Sequence, residues 1–334
     1  MTQIQRAADG KLLEVRNLAV SFDTPDGAVE AVRDVSFDVK VARTLGIVGE
    51  SGSGKSVTTQ AIVGLTRGAR ITGQALFEGR ELLAMPEAQL RDIRGRGIAM
   101  IFQNPMSSLH PLYPIGWQIV EMIRAHEPVS RAKAHARAIE LLGHVGIPRP
   151  EKRVNDYPHQ YSGGMQQRAM IAMAIALNPR ILVADEPTTA LDVTVQAQIL
   201  RLLRRLQEEH GTAIIMITHD LGVVAEMAHD VLVMYAGRVM EQAPRRELLH
   251  APSHPYTQGL LRSRPQLDTV GGRLTPIPGQ PPSLIAPPAG CPFHARCDSS
   301  IERCASNQPP LNAVPGRTAT HRSACWINAQ GAAQ

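Results

Sequence analysis

The chain has 334 residues, enough at about 150 residues per domain for two domains or one large domain with an appendage. Hydrophobic residues make up 43% and charged residues 19%, a balance that excludes a disordered or collagenous chain, and the longest apolar run, residues 169–177, is half the length of a membrane span. The formal charge of +5 comes from single arginines scattered among acids, and with only 4% aromatic residues there is no basic stripe interleaved with stacking rings, so no nucleic-acid partner is expected.

The N-terminus has no apolar stretch ahead of Asp9-Gly10-Lys11, so no secretory signal and a cytoplasmic chain are expected. Residues 13–22 and 29–39 alternate apolar with polar side chains around Pro25-Asp26-Gly27, which predicts an antiparallel strand pair at the sheet edge. Residues 44–49 read as a buried strand. It runs into Gly49-Glu50-Ser51-Gly52-Ser53-Gly54-Lys55-Ser56 and then a helical stretch, the context a phosphate-binding loop requires. Its glycines let successive N–H groups turn inward, and the helix N-terminus adds partial positive charge. Lys55 can reach the β and γ phosphates, and Ser56 offers a hydroxyl to Mg²⁺.

From residue 97 to 178 helices dominate, as in 130–142, where Ala134, Ala138, Leu141 and Leu142 share a face; this predicts a helical insertion. Residues 181–185 form an apolar strand ending in Asp185 and Glu186, two adjacent charges that are costly without a cationic partner. With bound Mg²⁺, Asp185 orients the metal and its waters and Glu186 polarises the attacking water; otherwise the two are helix-capping acids ahead of Pro187. A helix at 193–210 follows, then strands at 213–218 and 231–235. His219 ends the first of these, a position where a lone histidine is often structural. The alternation is that of an α/β protein, whose ligands bind beyond the carboxyl ends of parallel strands. There is no internal repeat or heptad array.

Near residue 255 the composition changes. Of 25 prolines, 13 lie in residues 251–334, and all four cysteines, Cys291, Cys297, Cys304 and Cys325, lie in the last 44, so the tail is expected to be poor in regular structure.

Tyr161-Ser162-Gly163-Gly164-Met165-Gln166-Gln167, between the phosphate loop and Asp185-Glu186, resembles the signature motif of ATP-binding cassette (ABC) ATPases. On its own the segment is a helix start, with Ser162 as cap and the N–H groups of Gly163 and Gly164 facing an anion. Gln103 in Ile101-Phe102-Gln103-Asn104-Pro105 resembles the family's Q-loop, Ala190-Leu191-Asp192 its D-loop and His219 its switch histidine, while Phe22 stands where an adenine-stacking aromatic is usual. Tyr161 departs from the family, many members having leucine there. The resemblance implies a P-loop NTPase with a RecA-like core, an antiparallel β edge and a helical subdomain at about 93–175. It also implies head-to-tail closure of two cassettes, so that each ATP lies between the phosphate loop of one and the Ser-Gly-Gly of the other. ATP would contact Phe22, Gly49, Ser51, Gly52, Ser53, Gly54, Lys55, Ser56, Val57, Ser162, Gly163, Gly164 and Asp192. Glu186, His219 and Gln103 would serve catalysis, and Ser56, Gln103 and Asp185 would hold Mg²⁺.

Residues 46–57, 102–109, 184–194 and 254–257 are similar to the oligopeptide/dipeptide importer group, most of all to its D-type ATPase subunits. That implies an ATPase powering di- or oligopeptide import, peripheral on the cytoplasmic face of the plasma (inner) membrane. Its partners would be a second cassette of the F type, two membrane permease subunits and, indirectly, an extracytoplasmic substrate-binding protein. Nickel and glutathione importers belong to the same group. Non-transport ABC ATPases of DNA repair or the ribosome are a different class, but they carry long coiled coils or two cassettes per chain, which this chain lacks. The division expected is a nucleotide-binding domain at 1–254 and a small, irregular Cys/Pro-rich extension at 255–334. The intervals between the cysteines, five, six and twenty residues, do not choose a metal. The resemblance implies a 4Fe-4S cluster on Cys291, Cys297, Cys304 and Cys325, with Zn²⁺ as the alternative and disulfides disfavoured in a reducing cytoplasm.

Overall fold

The computed structural model describes residues 10–189, 191–263 and 276–329. Residues 1–9, where no secretory signal was expected, and Ala190 of the D-loop segment lie outside the described residues. In chain order the strands are β1 (Lys11–Thr24), β2 (Gly27–Lys40), β3 (Thr44–Val48), β4 (Ala69–Phe77), β5 (Arg80–Glu81), β6 (Ile98–Ile101), β7 (Ile181–Asp185), β8 (Ala213–Thr218), β9 (Asp230–Tyr235), β10 (Arg238–Pro244), β11 (Asn312–Ala313) and β12 (Arg322–Ser323). The chain divides into two compact bodies. One holds the described parts of Met1–Val39, Thr44–Ala84 and Ile217–Gln334, the other Lys40–Arg43 and Met85–Met216.

In the first body, β1 and β2 flank the expected turn, but they do not edge a larger sheet. They form a four-stranded sheet of their own in the order β2-β1-β4-β5, with Leu13 opposite Phe77 and Phe22 opposite Ala69. The physical reason is β4: its residues pair antiparallel with β1 along most of its length and so complete an independent sheet. A second set of strands in this body runs β11-β12-β10-β9-β3, with β3 parallel to β9 and the remaining pairs antiparallel. Every residue of β3 is buried, as a continuously apolar parallel strand requires. Strands β9 and β10 are joined by Ala236-Gly237, both with positive φ (47° and 77°), the backbone a two-residue hairpin favours. That turn reaches the phosphate loop, the Gly237 N–H donating to the Ser53 carbonyl at 3.1 Å.

The second body carries the longest helices. Arg131–His144 is capped by Ser130, whose hydroxyl accepts from Lys133 N at 3.3 Å, and it buries the expected face of Ala134, Ala138, Leu141 and Leu142. Burial of such aliphatic side chains contributes about 1.5–3 kcal/mol each for leucine. Helices Ile115–His126, Gly163–Ile175 and Val193–His210 belong here too, with β6 parallel to β7 and Ile101 opposite Ala184.

The Cys/Pro-rich segment does not stand as a separate domain. The described residues after 276 contain only short elements, and their apolar side chains, Cys291, Phe293 and Cys304, share one core with Val231, Val233 and Tyr235 of β9 and Tyr256 of the helix Pro255–Arg262. A tail with so few apolar groups gains burial by joining an existing core rather than building its own.

A buried ionic cluster fastens this segment to β10. Fully buried, His321 places Nε2 2.7 Å from Glu241 Oε1 and Nδ1 3.0 Å from Glu247 Oε2. Glu241 also accepts from the backbone N–H groups of Ser253 (2.7 Å) and His254 (3.0 Å). Burial alone lowers the His321 pKa, but the two carboxylates outweigh it and raise it above 6.5. Both carboxylates are held below 4.5, where hydrogen bonds from His321 and its neighbours outweigh the effect of burial. Because the folded-state pKa of His321 is raised, its contribution is complete below about pH 6.5 and is lost as pH rises through the folded value. On the acid side the contribution of the carboxylates is lost only as pH falls through their depressed values. The thermal-midpoint difference between wild type and His321→Gln is therefore expected to be largest near pH 5.5–6.5 and to shrink towards pH 9. A gap independent of pH would contradict the charged cluster.

Candidate functional site

In the first body, β3 delivers the chain to the phosphate loop. Gly49 has φ +154°, and a Cβ there would collide with the Met234 carbonyl; Gly54 has φ +95° and lies against the Ala31 carbonyl. Only glycine fits the two ends of this turn. Between them lie Ser51, Gly52 and Ser53. The helix Lys55–Ile62 starts directly at Gly54 with no side-chain cap, so its first N–H groups face the loop, and Ser56 and Val57 occupy its first turn. The Lys55 ammonium, 6% exposed, donates to the Gly49 and Glu50 carbonyls at 2.8 Å each and approaches Ser53 Oγ at 3.4 Å. Phe22 is half-buried near the end of β1, and the exposed His219 follows the last residue of β8; both belong to this body.

In the second body, Gln103 and Glu186 come together just past the carboxyl ends of neighbouring strands β6 and β7. Gln103 Nε2 donates to Glu186 Oε2 at 2.8 Å, and Thr189 Oγ1 donates to the same oxygen at 2.8 Å. Glu186 has φ +48°, a conformation uncommon for a residue with a Cβ, while Asp185 before it is 3% exposed at the end of a fully buried strand. Gln103 and Glu186 are both among the residues singled out in the sequence. Thr189 is not, and its signal is its place three residues after Glu186, where a hydroxyl can turn back on the carboxylate.

Ser162 and Asp192 are helix caps. Ser162 accepts from Met165 N at 3.4 Å and Asp192 from Val195 N at 2.9 Å; both side chains are exposed. Gly163 is exposed with open space where a Cβ would lie, so backbone N–H groups there are accessible to a ligand. Tyr161, the departure from leucine, keeps its ring buried and donates its hydroxyl to the Arg153 carbonyl at 2.9 Å. Burial, reinforced by Asp156, raises that phenol to about 12. The ring fills an apolar position and its polar atom is satisfied, and the Ser162 and Gly163 that follow stay exposed.

Each residue expected to hold Mg²⁺ carries an oxygen donor of the kind a hard cation takes: in the first body the Ser56 hydroxyl, in the second the Asp185 carboxylate and the amide oxygen of Gln103, whose nitrogen is turned to Glu186. A metal on the four cysteines finds no support. All are free thiols, and among the described residues no group of three or more His, Cys, Asp or Glu side chains is placed to hold a metal ion. Burial, with smaller effects from the neighbouring thiols, pushes Cys291 up to about 12 and raises Cys297 and Cys325. Cys291 and Cys304 are buried and pack in an apolar core with Phe293 and Tyr256, while Cys297 and Cys325 are half-buried. The expected 4Fe-4S or Zn²⁺ site is not supported.

Comparison with known proteins agrees with this geometry. Residues 32–189 match the family model described as ABC transporter, and residues 240–304 match the oligopeptide/dipeptide transporter C-terminal region. The chain is 53% identical over 308 residues to the oligopeptide transport ATP-binding protein OppD of Salmonella typhimurium, covering 92% of each. It is 49% identical over 325 residues to the dipeptide transport ATP-binding protein DppD of Bacillus subtilis, covering 96% of each. Among solved structures, the dimeric post-hydrolysis ATP-binding cassette MJ0796 bound to ADP and Pi aligns with a TM-score of 0.64 at 28% identity, covering 70% of this chain and 99% of that one.

Proposed function

The chain belongs to the ATP-binding proteins of the oligopeptide/dipeptide ABC transporters, and on that premise we propose that it is the ATP-hydrolysing subunit that drives peptide import. The reading is carried by one observation above the others, the 2.8 Å hydrogen bond that joins Gln103 to Glu186 beyond the ends of β6 and β7. Glu186 is the base that takes a proton from the attacking water, held in line by Gln103 and Thr189. Lys55 binds the β and γ phosphates, and His219 stabilises the charge that develops on the γ-phosphate. Bound Mg²⁺, carried by Ser56, Gln103 and Asp185, supplies charge neutralisation at the phosphates. Phe22 stacks on the adenine, and Gly49, Ser51, Gly52, Ser53, Gly54 and Val57 complete the cradle.

Ser162, Gly163, Gly164 and Asp192 serve the ATP of a second cassette. The exposure of Ser162, Gly163 and Asp192 and the two local caps support that assignment, since a surface committed to another subunit stays uncovered in one chain. The second cassette is a related F-type chain, and the assembly includes two permease subunits fed by a substrate-binding protein. No helix among the described residues is long and apolar enough to cross a membrane, which accords with peripheral attachment to such permeases on the cytoplasmic face. The division at residue 254 is functional in this account: residues 1–254 handle nucleotide, with about 93–175 as the helical subdomain facing the permeases, and 255–334 is the extension typical of the importer group.

ATPase turnover is the test. The assembled transporter is expected to hydrolyse ATP at least ten times faster per site than the isolated chain, whose activity should rise with protein concentration. Equal turnover in the isolated chain at every concentration would contradict the shared site.

A further inference from the structure

Glu50, second residue of the phosphate loop, is held from the C-terminal part of its own body. Its N–H donates to the Tyr256 hydroxyl at 2.9 Å, and its Oε2 accepts from the Arg296 guanidinium at 2.8 Å. The same guanidinium donates to the Tyr235 hydroxyl at 3.0 Å and to the Pro278 and Ile277 carbonyls at 2.8 and 3.3 Å. With its side chain 7% exposed, Arg296 is a buried cation with a hydrogen-bonded carboxylate partner, the arrangement in which breaking one side is costly. Tyr256 is fully buried, its ring 4.7 Å from that of Tyr235 and 5.2 Å from that of Phe293, so its hydroxyl cannot drift.

The peptide between Gly49 and Glu50 is one rigid plane. Its carbonyl end receives the Lys55 ammonium at 2.8 Å, and its N–H end is fixed on Tyr256. Rotation of that plane would swing the Lys55 acceptor, and the Arg296 pair stops the Glu50 side chain from following such a rotation.

We propose that Arg296 and Tyr256 are positioning residues for nucleotide binding, the C-terminal segment setting the Gly49–Glu50 peptide and through it the place of the Lys55 ammonium. Both lie within residues 240–304, matched to the transporter C-terminal region, and outside residues 32–189, matched to the ABC transporter family. The importer-type extension thus has a role in nucleotide affinity as well as any role it has among its partners. The inference takes ATP binding by this loop as its premise.

The test is the dissociation constant for ADP, measured by titration calorimetry on the full-length chain, with the thermal midpoint of each variant recorded alongside. Arg296→Met and Glu50→Ala should each weaken ADP binding about tenfold, the loss of one charge-assisted hydrogen bond, and the double variant should be no weaker than either single one. Arg296→Lys should recover part of the loss. Tyr256→Phe, which removes a single hydroxyl and keeps the buried ring, should weaken binding severalfold and carries the test if Arg296→Met fails to fold. Folded variants that lose thermal stability but bind ADP as the wild type does would overturn the proposal, as would losses that multiply in the double variant. A wild-type chain that did not bind ADP would instead overturn the premise, and the proposal with it.

Discussion

Glu186→Gln in the assembled transporter is expected to bind ATP with near-native affinity and to hydrolyse it about two to four orders of magnitude more slowly, the usual cost of removing one aligned catalytic group. The substitution changes little else. Glutamine has the same volume, and its amide oxygen can accept from Gln103 Nε2 and Thr189 Oγ1 as the carboxylate does. The backbone at φ +48° is no more strained with one side chain than with the other. What disappears is the negative charge and its capacity to take a proton. Single-turnover hydrolysis together with nucleotide binding separates the two effects; near-normal turnover would remove Glu186 from the chemistry.

Lys55→Ala should act earlier, on binding itself, weakening ATP about a hundredfold or more. The ammonium is the cation the loop provides, and a charge-assisted contact to phosphate is worth about 1.5–3 kcal/mol before longer-range attraction is added. Removing it also leaves the Gly49 and Glu50 carbonyls without the donor they share, so the cradle loses an internal brace as well as its charge. Calorimetric titration of the folded variant checks this. An unaltered ATP affinity would mean that phosphate is bound elsewhere.

Features with a local cause were legible in the sequence. Strands β3, β7 and β8 are buried along their whole length and appear in the sequence as continuous apolar runs; the helix Val193–His210 lies between Asp192, its cap, and Gly211, its left-handed terminator. The phosphate loop and the Asp185-Glu186 pair were readable because their chemistry requires those residue types at fixed spacing. Features with a long-range cause were not. The sheet to which β1 and β2 belong depends on pairing with β4, some fifty residues away, which alternation within a strand cannot specify. The grip of Arg296 and Tyr256 on Glu50 spans 246 and 206 residues, and a single arginine in a proline-rich tail carries no periodic signal. The surroundings of the cysteines were not legible for a related reason. Their clustering in the last 44 residues fits a metal site, yet in the fold Cys291 and Cys304 pack into the core beside Phe293 and Tyr256.

The central claim is that hydrolysis at this site drives peptide import. It is tested most directly by uptake of a labelled peptide into vesicles containing the whole transporter, with ATP on the side of the cassettes and the peptide-loaded binding protein on the other. The wild-type chain should support uptake that requires ATP, and the Glu186→Gln chain, bound to ATP but unable to turn it over, should support almost none. Uptake that proceeds equally well with Glu186→Gln, or without ATP, would contradict the account.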